Sequence, residues 1–187
     1  MSEPLRRRFP KGRDESPGAR LVIIGLGSNV DAQTRLSAAV DEISYEYDLL
    51  ARSTRYVSPA MPSKKGNLAP PEPGPSPEAA PTPEEAAPYS NAAVLIRTVA
   101  THDAIKETLG KIEARLGRDR RQPDCVAIDL DILLIQEEVV REGRRILVPH
   151  PDLETRRYAA IPGAEVAPFM RHPITKAPLA EIAAALA

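Results

Sequence analysis

The sequence predicts an α+β domain, a two-layer sandwich with a mainly antiparallel sheet and helices packed on it. Three observations carry this. Short apolar runs of strand character alternate with longer runs of helical period, yet two strand-like segments follow each other with no helix between them. That breaks the strict strand–helix alternation of a doubly wound parallel sheet. The chain has 187 residues, enough for one domain whose core needs no covalent staple. Its 20 prolines are bunched, ten of them between Pro59 and Pro88. Interleaved with Ala, Glu, Ser and Gly, such a stretch builds no packed core and reads as an extended insertion.

Residues 1–20 are polar, charged and aperiodic, and read as a disordered basic tail. That leaves 21–187 as the domain, interrupted by the insertion at 59–88. Leu21 to Leu26 is a short buried strand that runs into the turn formers Gly27, Ser28 and Asn29. Asp31 reads as the cap of a helix whose Leu36, Val40, Ile43 and Tyr47 share one face. Residues 49–58 look like a strand, and Asn91 to Val99 is another. Thr101 caps a second helix with Ile105, Leu109, Ile112 and Leu116 on one face, and Gly117 ends it. Ala127 to Ile135 is a strand, followed by a short one near 145–148 and an irregular stretch rich in Pro and Arg. A last helix carries Leu179, Ile182 and Leu186. The order strand, helix, strand, strand, helix, strand resembles the split-βαβ arrangement of ferredoxin-like folds.

Composition narrows the function classes. Lys and Arg number 25 against 26 Asp and Glu, a net charge of −1, which argues against coating nucleic acid or a membrane by bulk charge. Two Phe, five Tyr and no Trp leave few stacking platforms for RNA. Cys125 is the only cysteine, so no internal disulfide forms, and with three histidines it makes no structural zinc site. A reducing, cytoplasmic setting follows as the expectation. The longest apolar run is far short of a membrane span, and the Arg-rich start lacks the apolar region of a secretory signal.

The most informative segment is Ile128-Asp129-Leu130-Asp131-Ile132-Leu133. In a strand Ile128, Leu130 and Ile132 share the core face, while Asp129 and Asp131 point the other way, about 7 Å apart. Two neighbouring carboxylates repel, and a hard divalent cation such as Mg2+ or nearby arginines could compensate them. Arg118, Arg120 and Arg121 lie just before the pair, past Gly117, where the helix dipole accounts for them less well than for Arg115. Arg141, Arg144, Arg145, Arg156 and Arg157 follow. Guanidinium forks suit phosphate oxygens. His150 sits between Pro149 and Pro151, which fix where its imidazole points, whereas His102 and His172 read as ordinary surface residues. Val30 stands where a dinucleotide fingerprint needs its third glycine, and there is neither a Gly-Lys-Ser/Thr phosphate loop nor a nucleophile elbow.

Taken in order, these segments resemble the 6-hydroxymethyl-7,8-dihydropterin pyrophosphokinase family of folate biosynthesis, over roughly residues 21–170 outside the insertion. The matching pieces are Gly27-Ser28-Asn29, Tyr56-x-Ser58-Pro59, Tyr89-Ser90-Asn91-Ala92-Ala93 and Ile112-Glu113. Gly117-Arg118-Asp119-Arg120, Asp129-Leu130-Asp131, Val148-Pro149-His150-Pro151-Asp152-Leu153 and Arg156-Arg157-Tyr158 continue the series. The resemblance implies that Asp129 and Asp131 hold two Mg2+ ions on the ATP phosphates. It implies that Arg118, Arg120, Arg145, His150 and Arg156 contact the triphosphate or its surroundings, and that Tyr158 stacks on the pterin. Asn91 would bond the pterin edge, and Tyr89, Ser58 and Pro59 would line its pocket. The implied reaction is attack of the pterin hydroxymethyl oxygen on the β-phosphorus of ATP, releasing AMP. Its demands are alignment and charge neutralisation more than covalent catalysis. The expected partners are these small molecules, with no nucleic acid and no membrane; the chain is expected to be a monomer, with the proline-rich insertion a place where a folate-pathway partner could attach.

Two departures from the family pattern stand out. The loop before Asp129 has no Trp and is about two residues shorter than the family's form, by comparison of motifs. Val126 occupies the place of the usual catalytic arginine, which leaves Arg121 as its nearest substitute. The insertion also replaces a short substrate loop. An alternative therefore stands beside the active enzyme: a catalytically weak relative that binds pterin or nucleotide as a regulatory partner.

Overall fold

The computed structural model describes residues 14–58, 88–122 and 124–187. The expectations for residues 1–13, for the insertion between 59 and 87, and for Pro59 lie outside the described residues. Apolar side chains on both faces make β1 (Arg20–Ser28) a central strand. Val22, Ile24 and Leu26 are buried in one cluster and Ile23 in another. β1 pairs antiparallel with β4 (Tyr89–Thr98) on one side and with β5 (Asp129–Ile135) on the other. β2 (Asp48–Arg52) and β3 (Tyr56–Ser58) both pair antiparallel with β4. The single strand expected over 49–58 is thus two. The register slips between Leu49 and Ala51, and residues 53–55 leave the ladder.

α1 (Ala32–Glu46) and α2 (His102–Arg115) cover one face of this sheet. Leu36, Ile43, Tyr47, Ile105, Leu109 and Ile112 pack there on Val22, Ile24, Val94, Ile96, Leu130 and Ile132. The two helix starts differ. Thr101 caps α2, its side chain accepting from the Ala104 N–H at 3.4 Å. Asp31 does not cap α1 as expected, because it sits at φ 46° with no side-chain cap bond. An N-cap side chain folds back on the first amides from an extended backbone, which a left-handed residue lacks. Asp31 serves through its carbonyl instead, accepting from the Arg35 N–H at 3.0 Å. Gly117, at φ 87°, ends the α2 turn in a conformation that favours glycine.

The opposite face is covered by elements the sequence concealed. α3 (Asp152–Thr155) and α4 (Arg157–Val166) occupy the stretch read as irregular, and α5 (Leu179–Ala185) is the expected last helix. Pro162 inside α4 is what disguised it. The small residues around it let the helix lie close: a Cβ on Gly163 would stand 3.1 Å from the Leu153 side chain. These helices bury Ile23, Ala93, Leu95, Leu133 and Leu134. A hairpin of β6 (Val140–Glu142), not anticipated, and β7 (Arg145–Val148) completes the fold. The ferredoxin-like sheet-and-helix core is therefore present, with further helices on its second face. Among the described residues no helix is long and apolar enough to cross a membrane.

Candidate active site

The end of β1 and the starts of β4 and β5 meet at one end of the sheet, where Gly27 pairs with Asn91 on one side and Asp129 on the other. Tyr56 pairs with Asn91 beyond, so Tyr56, Asn91, Gly27 and Asp129 form one cross-strand row. In the next row Gly25 stands between Ala93 and Asp131. Partners in a row share a sheet face. Because Leu26, Leu130 and Ile132 face α1 and α2, the aspartates face the other side, as the alternation predicted. Gly27 carries no side chain between the carboxylate and the Asn91 amide, and a Cβ there would come within 3.6 Å of Asn91 Oδ1.

The two carboxylates are under electrostatic tension. Asp131 opens to solvent, yet the surrounding protein strips enough water to push its carboxyl above the usual range. The charges of Asp129 and Asp152 push it further, against His150 and Arg118. Arg118 is the nearest cation, its Nη2 lying 3.5 Å from Asp129 Oδ1 on a side chain only 16% exposed. Its Nε and Nη1 are buried without a hydrogen-bond partner among the described residues. A guanidinium holds such donors idle at a cost unless a ligand meets them.

The other predicted cations are placed differently. Arg120 reaches back to Glu113, Nη2 to Oε2 at 3.0 Å. Arg121 is 90% exposed and forks onto Asp119, with Nε and Nη2 each 3.0 Å from a carboxylate oxygen. It faces Asp119 rather than the aspartate pair. Arg145 opens β7 and Arg156 precedes α4, both exposed. His150 follows the cis Val148–Pro149 bond and is held by its backbone N–H, which donates to Leu133 O at 2.8 Å. Its Nδ1 accepts from the Asp152 N–H at 3.2 Å.

A less charged wall stands on the other side. Asn91 is buried and its Nδ2 donates to Ser58 Oγ at 2.9 Å, fixing the amide. Tyr89 sits near Arg118 and Asp129; burial, more than any charge, pushes its phenol up. Tyr158 opens the first turn of α4 and donates its hydroxyl to Asp152 Oδ2. Its phenol is pushed well above the usual range by burial and by that carboxylate.

The sequence motifs included Glu113, Asn29 and Ser28 but gave no sign of the bonds by which they assemble the site. Glu113, 5% exposed, accepts from the Leu130 N–H at 2.8 Å and from Arg120, tying α2 to the strand between the aspartates. Burial raises its carboxyl and Asp129 adds to this, while Leu130, Arg120 and Arg118 oppose. A charged residue next to Ile112 on an otherwise apolar helix face was the available signal. Asn29 latches the approach to β5, with Oδ1 accepting from Val126 N–H and Nδ2 donating to Asp124 O, both at 2.7 Å. Ser28 Oγ donates to Ala127 O at 2.7 Å. This latch turns the Val126 side chain into the core, 4% exposed.

The α+β fold thus brings an acid pair, an idle guanidinium and a preset amide to one end of the sheet, a set whose free donors suit anionic oxygens. Residues 23–168 match the family described as 7,8-dihydro-6-hydroxymethylpterin-pyrophosphokinase (HPPK). The chain is 29% identical over 163 residues to the 2-amino-4-hydroxy-6-hydroxymethyldihydropteridine pyrophosphokinase of Aquifex aeolicus, covering 86% of this chain and 88% of that one. It is 30% identical over 149 residues to the protein of the same name from Methylorubrum extorquens, covering 78% and 81% of the two chains. Among solved structures it resembles Plasmodium falciparum HPPK-DHPS crystallised with pteroate, with a TM-score of 0.63 at 13% identity. That match covers 92% of this chain but only 44% of the solved one, and it speaks for the fold. The chain belongs to the pterin-pyrophosphokinase family, a family of diphosphate-transferring enzymes.

Proposed function

We propose that this protein transfers diphosphate from ATP to the hydroxymethyl group of 6-hydroxymethyl-7,8-dihydropterin. The pterin hydroxymethyl oxygen forms a bond to the β-phosphorus, the bond from that phosphorus to the α–β bridging oxygen breaks, AMP leaves, and the hydroxyl proton is released. The observation that carries the reading is Arg118, whose Nε and Nη1 are buried and unpartnered beside Asp129. Those donors suit phosphate oxygens. Arg120, Arg145, His150 and Arg156 supply further donors around the triphosphate, and Arg121 is available if Asp119 releases it. Asn91 reads the pterin edge, Ser58 stands beside it and fixes its amide, Tyr89 lines the pocket, and Tyr158 stacks on the ring.

Asp129 and Asp131 fit Mg2+. No cluster of three or more His, Cys, Asp or Glu forms a closed metal cage among the described residues. Two carboxylates held in mutual repulsion, with phosphate and water oxygens completing the shell, match how this ion is bound. Two Mg2+ ions held there would supply positive charge against the phosphates. In this reading residues 21–187 form one cytoplasmic, monomeric domain, and the segment 59–88 is an insertion through which a folate-pathway partner could attach.

A second reading, a binder with little or no turnover, is favoured by one observation: Val126, in place of the family's arginine, is buried in the core. One assay separates the two. Protein is incubated with ATP, Mg2+ and 6-hydroxymethyl-7,8-dihydropterin, and AMP is measured beside the Asp129→Ala variant. AMP that needs the pterin and vanishes in the variant supports the enzyme. Bound ATP and pterin without AMP support the second reading, and binding of neither overturns both.

A further inference from the structure

One carboxylate outside the motifs is saturated in an unusual way. Glu165, in the last turn of α4, accepts three hydrogen bonds from the segment that carries β3. They come from Thr54 N–H at 2.9 Å, Thr54 Oγ1 at 3.0 Å and the Tyr56 hydroxyl at 2.7 Å. Burial pushes its carboxyl up, but the three donors outweigh this and hold it below the usual range. β3 is an edge strand of three residues, held on one side by its pairing with β4 and tied to α4 by these bonds to Glu165. β3 carries Ser58, which orients the Asn91 amide, and α4 carries Tyr158 two turns before Glu165. Glu165 thus joins α4, which carries the Tyr158 ring, to β3, whose Ser58 fixes the Asn91 amide.

We infer that Glu165 is a positioning residue for the pterin pocket, acting through Thr54 and Tyr56 to set the distance between the Tyr158 ring and the Asn91 amide. This rests on the proposed pterin site. The bonds lie at the protein surface, so their removal moves the wall without hollowing the core. The specificity consequence follows: a flat, edge-bonded heterocycle is gripped only when ring and amide are held at one spacing.

The test measures affinity for 6-hydroxymethylpterin at saturating non-hydrolysable ATP, affinity for that ATP analogue alone, and thermal midpoint. Wild type is compared with Glu165→Gln, Tyr56→Phe and the double variant. The expected result is about tenfold weaker pterin binding in Glu165→Gln, as for loss of charge-assisted hydrogen bonds, with ATP-analogue affinity unchanged. Tyr56→Phe should weaken it less, and the double variant should equal Glu165→Gln, since both act through one clamp. Pterin affinity equal to wild type in Glu165→Gln would overturn the inference. So would a parallel loss of affinity for both ligands together with the thermal midpoint, which marks a merely structural role. Should Glu165→Gln not fold, Tyr56→Phe decides alone: unchanged pterin affinity overturns the inference, and selective loss upholds it. Wild type that binds no pterin would instead overturn the site reading itself, and the inference with it.

Discussion

The two sides of the site are built on opposite principles. On the side of β5 and the end of α2, groups are held together without being satisfied. Asp131 is pushed up by stripped water and by Asp129, and Arg118 keeps two donors idle. On the side of β3, β4 and α4 the polar groups already have partners: Asn91 has Ser58, Tyr158 has Asp152, and Glu165 has Thr54 and Tyr56. The difference teaches where ligands supply free energy. A highly charged ligand can complete an unsatisfied site, while a neutral, flat one offers little charge and needs a wall that is already in place.

The sharpest way to break this comparison is to remove a carboxylate. Asp131→Asn should lower AMP release about 10²–10³-fold, the cost of losing one charge-organising group. The same change should raise the thermal midpoint of the ligand-free protein by about 2 °C, because a repulsion is relieved. Opposite signs are the signature of an unsatisfied site; a lower midpoint would show that the carboxylates are not under tension. Arg118→Lys comes next. It keeps the charge but loses the fork, so affinity for ATP should fall about tenfold with pterin affinity unmoved. Titration with each ligand separately checks it.

How much of this was legible in the sequence follows the same division. The aspartate face was readable because strand alternation is a period of two, and Leu130 and Ile132 do point to the α1–α2 side. The helix of Leu109 and Ile112 was readable from its spacing and its Thr101 cap. What escaped were contacts between residues far apart in the chain. Asn29 with Val126, Glu113 with Leu130 and Glu165 with Tyr56 are set by tertiary placement, and no local period announces them. α4 escaped for a different reason, since Pro162 masked an Ala-rich run that tertiary packing holds helical.

A smaller effect sharpens the comparison on the satisfied side. Tyr158→Phe keeps the ring and drops the hydroxyl that donates to Asp152. If the hydrogen bond only orients the ring, pterin affinity should weaken by about threefold, within the range of one neutral-donor bond. A loss as large as that from removing the whole ring would mean that the hydroxyl itself meets the ligand.

The smallest expected effects lie in two glutamates, and their signs should differ. The fold raises the carboxyl of Glu113, so its protonated form is favoured in the native state. Its stability contribution is fully present below the ordinary carboxylate value and is lost as pH rises through the raised one. Glu165 is lowered, so its contribution is present above the ordinary value and is lost as pH falls through the depressed one. Thermal midpoints of wild type, Glu113→Gln and Glu165→Gln between neutral pH and pH about 4 should therefore diverge in one pair and converge in the other. As pH falls, wild type should gain on Glu113→Gln, while its lead over Glu165→Gln should shrink, each by no more than about 3 °C. Slopes of the same sign would mean that the two carboxylates share one environment, and the division between an unsatisfied and a satisfied side of the site would fail at its simplest point.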